Sequence, residues 1–327
     1  MRAIVYEGTG DRNVIFLRDV DEPVAGTDDA LVAIAFAGLN RADVLERQGH
    51  YAAQRSAVMV PGLEFSGVVQ TVGSNVKHLA AGDRVCGLVT GGAHAALVVA
   101  QAATLAKVPD GVSLRDAAAI PEAFLTAHDA LFTRGDFRLG QTALVHAVGS
   151  SVGLAALGLI SCAGGIAIGT SRTPEKLTRA QSHGLTFGFL LDDEWLGRVH
   201  AATNARGADV ILDFIGAPIL DRNVAALAAG GRIVQIGTLG GAKATFDLGP
   251  LMAKRGALIG TVLRTRPLEE KIVLAKHLER TLLPLFASGK LRTEIDRVYA
   301  IGDMRDAHER MESDGNFGKI LLEIDAA

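Results

Sequence analysis

Cysteine is scarce in this sequence: Cys86 and Cys162 are the two among 327 residues. They stand too far apart for a CxxC motif and are too few for a disulfide framework, so a reduced, cytoplasmic protein is expected. An excess of basic charge is also missing. The net charge is −3 at pH 7, whereas a nucleic-acid binder needs a concentrated basic face, so no nucleic-acid partner is expected. The N-terminal MRAIVYEGTGDRNV has neither an apolar stretch nor a cleavage site, and no secretory signal is expected from it. There is no internal repeat, no low-complexity linker and no like-charge block. No Ser-His-Asp or Cys-His spacing suggests hydrolysis.

The most informative absence is local. From Leu139 to Ser171 the chain carries no Asp, Glu, Lys or Arg. A run of that length falls in the range that spans a bilayer. Gly149-Ser150-Ser151 and Ala163-Gly164-Gly165 nevertheless break it into pieces of about a dozen residues, too short to span. No basic cluster flanks it either, so no membrane partner is expected. The run parses as a strand (Ala143 to Ala147), a small-residue turn (Val148 to Gly153), a helix ending near Cys162, a Gly164-Gly165 stop and a second strand (Ile166 to Gly169). Such a βαβ unit presents unpaired backbone N–H groups and the positive end of a helix dipole at its first turn, where a pyrophosphate can sit. Of the three glycines of a Gly-x-Gly-x-x-Gly fingerprint, only Gly153 is in place, and the bare motif leaves an ordinary strand-turn-helix open.

Around this unit the periodicity changes twice. Up to about Val108, short alternating strands separated by Gly, Asp and Pro suggest a partly closed β-barrel. From Gly140 to about Leu263, six strands alternate with helices, the pattern of a doubly wound parallel sheet. The remainder holds a helix (Leu268 to Ser288), a strand near Ile295 to Tyr299, a helix (Gly302 to Glu312) and a last strand (Gly318 to Ile324). These strands have no βαβ neighbours and are expected to return to the first domain. Lys254-Arg255 reads as solvated surface, and His128 and His146 as satisfied helix and strand histidines.

The segments Gly38-Leu39-Asn40-Arg41-Ala42-Asp43, Gln48-Gly49-His50-Tyr51, Pro61 to Gly67, Gly82-Asp83-Arg84-Val85, Ala119 to Ala127 and Gly315 to Glu323 together resemble the zinc-free quinone oxidoreductase (zeta-crystallin-like) branch of the medium-chain dehydrogenase/reductase superfamily. Ala119 to Thr126, Ser150 and Gly240-Gly241 look most like the tumour-suppressor-inducible quinone oxidoreductase subgroup. The resemblance covers nearly the whole chain. It implies a Rossmann sheet (residues 121–265) inserted into a GroES-like domain (1–120 with 266–327). It also implies a homodimer paired through the edge strand Ala257 to Leu263.

The resemblance implies the chemistry as well. Zinc-dependent relatives place a cysteine where Asn40 stands and a histidine where Leu63 stands; an amide and an alkyl group cannot replace them, so no metal is expected. The second strand ends Gly169-Thr170-Ser171-Arg172, with Lys176 a turn later. With no carboxylate there for ribose hydroxyls, a 2′-phosphate and hence NADPH is favoured. A tyrosine that relatives often carry after the third strand is replaced by Leu191, followed by Asp192-Asp193-Glu194.

The expected cofactor residues are Ala147, Gly149, Ser150, Ser151, Val152 and Gly153 at the pyrophosphate, and Ser171, Arg172 and Lys176 at the phosphate. Gly237, Leu239 and Leu263 are expected at the carboxamide, and Asn316 and Lys319 in a C-terminal loop over the cofactor. Ser150 is expected to donate backbone and hydroxyl hydrogen bonds to phosphate. Asn40 and Tyr51 are expected to polarise the acceptor with Thr126 beside the nicotinamide, although Asn40 could equally cap a helix at Arg41. Glu64 and Glu122 read as relics of a metal site or as pocket hydrogen-bonding groups. The expected activity is NADPH-dependent reduction of a quinone. The alternatives are an enone or alkenal reductase, and a non-catalytic, crystallin-like NADPH-binding protein.

Overall fold

The computed structural model describes residues 1–50 and 60–324. The chain divides into two compact units, Met1–Glu122 with Arg264–Ala327, and Ala123–Leu263. The first opens with β1 (Arg2–Tyr6), β2 (Ile15–Asp19), β3 (Asp29–Leu39), β4 (Glu64–Val72), β5 (Arg84–Leu88), β6 (Leu97–Gln101) and β7 (Leu105–Lys107). The second holds β8 (Thr142–Val145), β9 (Ile166–Ser171), β10 (Phe187–Leu190), β11 (Ala208–Asp213), β12 (Leu227–Gln235) and β13 (Ala257–Gly260). The chain then returns to the first unit with β14 (Ile295–Ala300) and β15 (Lys319–Glu323).

In the second unit the six strands are parallel and ordered β10-β9-β8-β11-β12-β13. Numbered within the unit this is 3-2-1-4-5-6, the doubly wound order, whose direction reverses between β8 and β11. Helices cover both faces, so β8 is buried along its whole length and its sequence is an apolar run rather than an alternating one. The core gathers Leu144, Ile168, Ile211 and Ile233 around the fully buried Trp195.

In the first unit, β3 is the spine. One edge pairs with β4; the other pairs with β6 over Asp29–Ala33 and with β15 over Phe36–Leu39. The register against β4 shifts between Ile34 and Phe36, close to where the partner on the far edge changes. The C-terminal strand therefore completes the N-terminal sheet. Among the described residues the outer strands β14 and β7 do not pair, so this sheet stays open at that seam instead of closing as a barrel.

Three local expectations differ from the structure. The helix expected over Leu268 to Ser288 is Leu268–His277, a wider turn Leu278–Leu282, and Leu283–Ala287. Pro284, which has no N–H to donate, sits just after the widening. The fifth strand of the second unit, expected from the run Gly231-Arg232-Ile233-Val234-Gln235, begins at Leu227, although the preceding Ala-Ala-Gly carries no strand signal. Lys254 is not simply solvated surface: its Nζ donates to the carbonyls of Ala225 and Leu227, both at 2.5 Å, and so caps the end of helix Leu220–Ala226. Among the described residues no helix is long and apolar enough to cross a membrane.

Candidate active site

The turn after β8 is built from a residue in an uncommon conformation. Ala147 has φ +47°, a left-handed backbone that costs a non-glycine residue some strain, and it turns the chain from strand to helix within three residues. Gly153 provides the close packing. A Cβ there would lie 2.8 Å from the carbonyl oxygens of Ala147 and Val148, so the one glycine of the fingerprint that this chain keeps is the one that lets the helix approach the strand.

The helix runs Ser151–Cys162 and Ser150 is its N-cap, its Oγ accepting from the N–H of Gly153 at 3.0 Å. The Ser150 backbone N–H is bound to the Ala147 carbonyl at 2.9 Å. That corrects the expectation for Ser150: the hydroxyl proton can serve an anion, but the backbone N–H is already used. The N–H groups of Ser151 and Val152, in the first helical turn, have no intrahelical acceptor and remain as the backbone donors. The turn thus fits a dinucleotide pyrophosphate.

At the end of β9, Ser171 is buried and its Oγ accepts from the Thr173 N–H at 3.2 Å. Arg172 is exposed and Lys176 half-buried in helix Pro174–Ala180. Leu191 binds the Ser171 carbonyl through its N–H at 2.9 Å and packs against the core around Trp195. The acidic run after it is matched by arginines. Arg198 meets Asp192 at 3.0 Å and Glu194 at 2.9 Å, and Arg222 meets Asp193 at 2.8 Å. Its hydrogen bond with Arg198 holds the Asp192 carboxyl below the usual carboxylate range.

Behind the turn lies a buried polar chain that the sequence did not reveal. His146 Nδ1 is 2.7 Å from Thr170 Oγ1, and its Nε2 is 2.7 Å from Asn223 Oδ1. Asn223 Nδ2 donates to Asp213 at 3.0 Å, and Asp213 also accepts from the N–H groups of Ile215 (2.6 Å) and Gly216 (3.0 Å). The proton positions follow from Asp213, which can only accept while ionised. Asn223 therefore presents its oxygen to His146, His146 carries its proton on Nε2, and the Thr170 hydroxyl donates to Nδ1. Burial lowers the His146 pKa, against the pull of Asp213, so the ring is neutral. The chain ties together the C-terminal ends of β8, β9 and β11, where ligands of such sheets bind.

Nearby, the Gly237 N–H binds the Asp213 carbonyl at 3.3 Å and the Leu239 N–H that of Phe214 at 3.1 Å; the Leu239 side chain is exposed. Leu263 is buried at the end of this unit. Thr126 is buried in helix Pro121–His128, and its Oγ1 has no hydrogen-bond partner among the described residues. A buried hydroxyl without a partner is uncommon and points to a ligand-facing position.

The first unit holds a cluster of its own, at the ends of three adjacent strands. Asn40 ends β3, Glu64 opens β4 and Lys319 opens β15. Asn40 Nδ2 donates to Glu64 Oε1 at 3.0 Å, Lys319 Nζ donates to Asn40 Oδ1 at 2.7 Å, and Lys319 Nζ meets Glu64 Oε1 at 2.5 Å. Glu64 Oε2 accepts from the Glu122 backbone N–H at 2.8 Å. Asn40 does stand at the N-cap of helix Arg41–Arg47, but that helix is closed by Asp43, whose Oδ2 accepts the Asn40 backbone N–H at 2.7 Å.

Asp43 is wholly buried, and its other oxygen has no partner among the described residues. Burial, reinforced by Glu46 and Glu64, pushes its pKa up to about 8. Lys319 is thus a buried residue of strand β15 bonded to Asn40 and Glu64, not a residue of a covering loop; Asn316, also buried, donates to the Gly318 carbonyl at 3.0 Å. Tyr51 lies outside the described residues.

Zinc does not fit here. The amide of Asn40 is already engaged by Lys319 and Glu64, and Leu63 offers only a buried alkyl group. Among the described residues no three His, Cys, Asp or Glu side chains come together to hold a metal ion.

Residues 26–110 match the family Alcohol dehydrogenase GroES-like domain, and residues 187–322 match Zinc-binding dehydrogenase. A quinone oxidoreductase-like protein 2 homolog of Nematostella vectensis is 30% identical over 301 residues, covering 91% of this chain and 82% of that protein. An Escherichia coli quinone oxidoreductase complexed with NADPH superposes with a TM-score of 0.89 at 26% identity, over 99% of this chain and 100% of that one. An NAD-dependent alcohol dehydrogenase does so with a TM-score of 0.90 at 28% identity, over the same shares. The fold is therefore common to relatives with different cofactors and substrates, and by its similarity to quinone oxidoreductase-like proteins along nearly its whole length this chain belongs to the medium-chain dehydrogenase/reductase superfamily of oxidoreductases.

Proposed function

We propose that this chain is an NADPH-dependent quinone oxidoreductase that works without zinc, as a cytoplasmic homodimer. The observation that carries the reading is the Asn40 amide, tied at both ends to Lys319 and Glu64 at a position where a metal-dependent relative needs a thiolate. A quinone is already electron-poor, so a hydrogen bond to its oxygen is enough where an unactivated carbonyl would need a Lewis acid.

NADPH would supply the hydride. The chain's own groups do the rest. The free N–H groups of Ser151 and Val152 and the Ser150 hydroxyl bind the pyrophosphate. Ser171, Arg172 and Lys176 bind the 2′-phosphate, a role supported by the neutralisation of the neighbouring acidic run by Arg198 and Arg222. Ala147, Gly149 and Gly153 let the backbone come close, and Gly237, Leu239 and Leu263 flank the carboxamide. Thr126 offers its hydroxyl to the nicotinamide side, and Asn40 and Tyr51 donate hydrogen bonds to the acceptor oxygen. The dimer would form along β13, whose Leu258 is exposed on a sheet edge that needs cover.

Purified protein should oxidise NADPH faster than NADH in the presence of ortho- or para-quinones, with enones slower. Preference for an enone would move the reading to enal and enone reduction. Tight NADPH binding without turnover on any acceptor would overturn the reductase reading and leave a binding protein.

A further inference from the structure

Asn40, Glu64 and Lys319 form a closed triangle in which every pair is hydrogen-bonded. An amide side chain can ordinarily turn over, exchanging oxygen for nitrogen at little cost, but this one cannot. Lys319 has only protons to give and an ionised Glu64 has only lone pairs, so a flipped amide would face ammonium with NH₂ and carboxylate with oxygen. Both partners are buried, 2% and 0% exposed, so neither can turn to water instead. With Oδ1 held by Lys319 and one Nδ2 proton held by Glu64, the amide keeps one N–H without a partner among the described residues.

The backbone is shaped for this arrangement. Gly38 lies opposite Glu64 in the β3–β4 register, and a Cβ at 38 would fall 2.3 Å from Glu64 Oε1. The glycine leaves the space that the carboxylate occupies.

We propose that Glu64 and Lys319 are positioning residues that fix the sense of the Asn40 amide, so that it offers an N–H and not a carbonyl to the substrate. The inference rests on the quinone reductase reading and narrows it: the group recognised at Asn40 is a hydrogen-bond acceptor, a carbonyl oxygen. The donor then binds a quinone oxygen more strongly as negative charge grows on it, which lowers the barrier to hydride transfer, and binds the hydroxyl of the reduced product less well, which eases its release.

The test pairs kinetics with a measurement that needs no turnover. Lys319→Met should lower kcat about a hundredfold, the loss expected from a misplaced catalytic group. The Kd for NADPH, from fluorescence titration without quinone, should stay within about twofold, since on this reading Lys319 acts through Asn40. Lys319→Arg, which keeps donor-only character, should recover most of the rate. Asn40→Ala added to Lys319→Met should cost little more than either change alone.

An unchanged kcat with a raised NADPH Kd would overturn the proposal and return Lys319 to a direct cofactor role; fully additive losses would overturn it as well. In ¹⁵N-labelled protein, the two Asn40 side-chain protons should exchange at very different rates, and Glu64→Gln should abolish the difference. Equal rates in the unmodified protein would refute the locked amide whether or not any quinone is turned over. An inactive protein with a locked amide would sink only the quinone reading. The double change Glu64→Gln/Lys319→Met, neutral at both positions, serves if either single variant fails to fold.

Discussion

The two units bury polar clusters of opposite design. In the first, the Glu64 carboxylate is answered by a full opposite charge on Lys319, with the Asn40 amide wedged between them. In the second, the Asp213 carboxylate meets no cation at its oxygens among the described residues. It is held by the N–H groups of Ile215 and Gly216 and by Asn223, and the chain continues through a neutral imidazole to Thr170. The first device fixes one side chain at the end of a strand. The second spreads over three strand ends and fixes a backbone frame. A charge pair orients a donor strongly but fails badly when half of it is lost; a chain of dipoles orients less forcefully and fails by increments.

Breaking the charge pair should therefore give the largest effect. Lys319→Met leaves Glu64 buried and uncompensated and should destabilise the fold by about 3–5 kcal/mol in urea titration. Neutralising both, as Glu64→Gln/Lys319→Met, should recover most of that loss; a double variant no more stable than the single would remove the contrast. In the dipolar cluster, His146→Leu leaves the Thr170 hydroxyl and the Asn223 oxygen unsatisfied and should cost about 2–3 kcal/mol. Its loss should be full near pH 8 and shrink as the pH falls through about 6.5, where the imidazole of the unfolded chain takes up a proton that the buried ring does not.

A third change tests the pH response of the charged cluster. The folded-state pKa of Asp43, about 8, lies above the usual carboxylate value of about 3.9. The stability tied to its protonated form is complete below the ordinary value and is lost as pH rises toward 8. Asp43→Asn should thus be more stable than the parent by an amount on the order of 2 kcal/mol near pH 9, with the gap closing in mild acid. Melting curves at several pH values would read it, and a gap independent of pH would contradict the assignment. The smallest structural effect should come from Arg172→Ala, which should leave the melting temperature unchanged while raising KM for NADPH about tenfold, with NADH little affected.

The alternation of the second unit was readable because each buried strand is a short apolar run and each helix carries the longer period. The return of the last strands to the first unit was readable because they had no βαβ partners, whereas the pairing of β15 with β3 was not. The clusters were far less visible, since their members are distant in sequence: 24 positions separate Asn40 from Glu64, and 279 separate it from Lys319. One signal was present. Glu64 in GLEF, Lys319 in FGKILL, His146 in ALVHAV and Asp213 in VILDFI are each a single polar or charged residue inside an apolar run. Such residues are destined for burial and so require partners. That pattern indicates that partners exist; which residues pair is set by register, and Gly38 opposite Glu64 became meaningful only once β3 and β4 were aligned.

The place of β15 in the chain also has a consequence for synthesis. Lys319 and its strand follow the whole second unit, so a growing chain displays the Phe36–Leu39 edge of β3 and the lone Glu64 carboxylate until the ribosome has made everything up to residue 323. The second unit can finish folding while the first still waits for its last strand. Asn40 gains its orientation at that final step, and a chain truncated just before Lys319 would keep the parallel sheet of the second unit while the sheet of the first lacked its last strand.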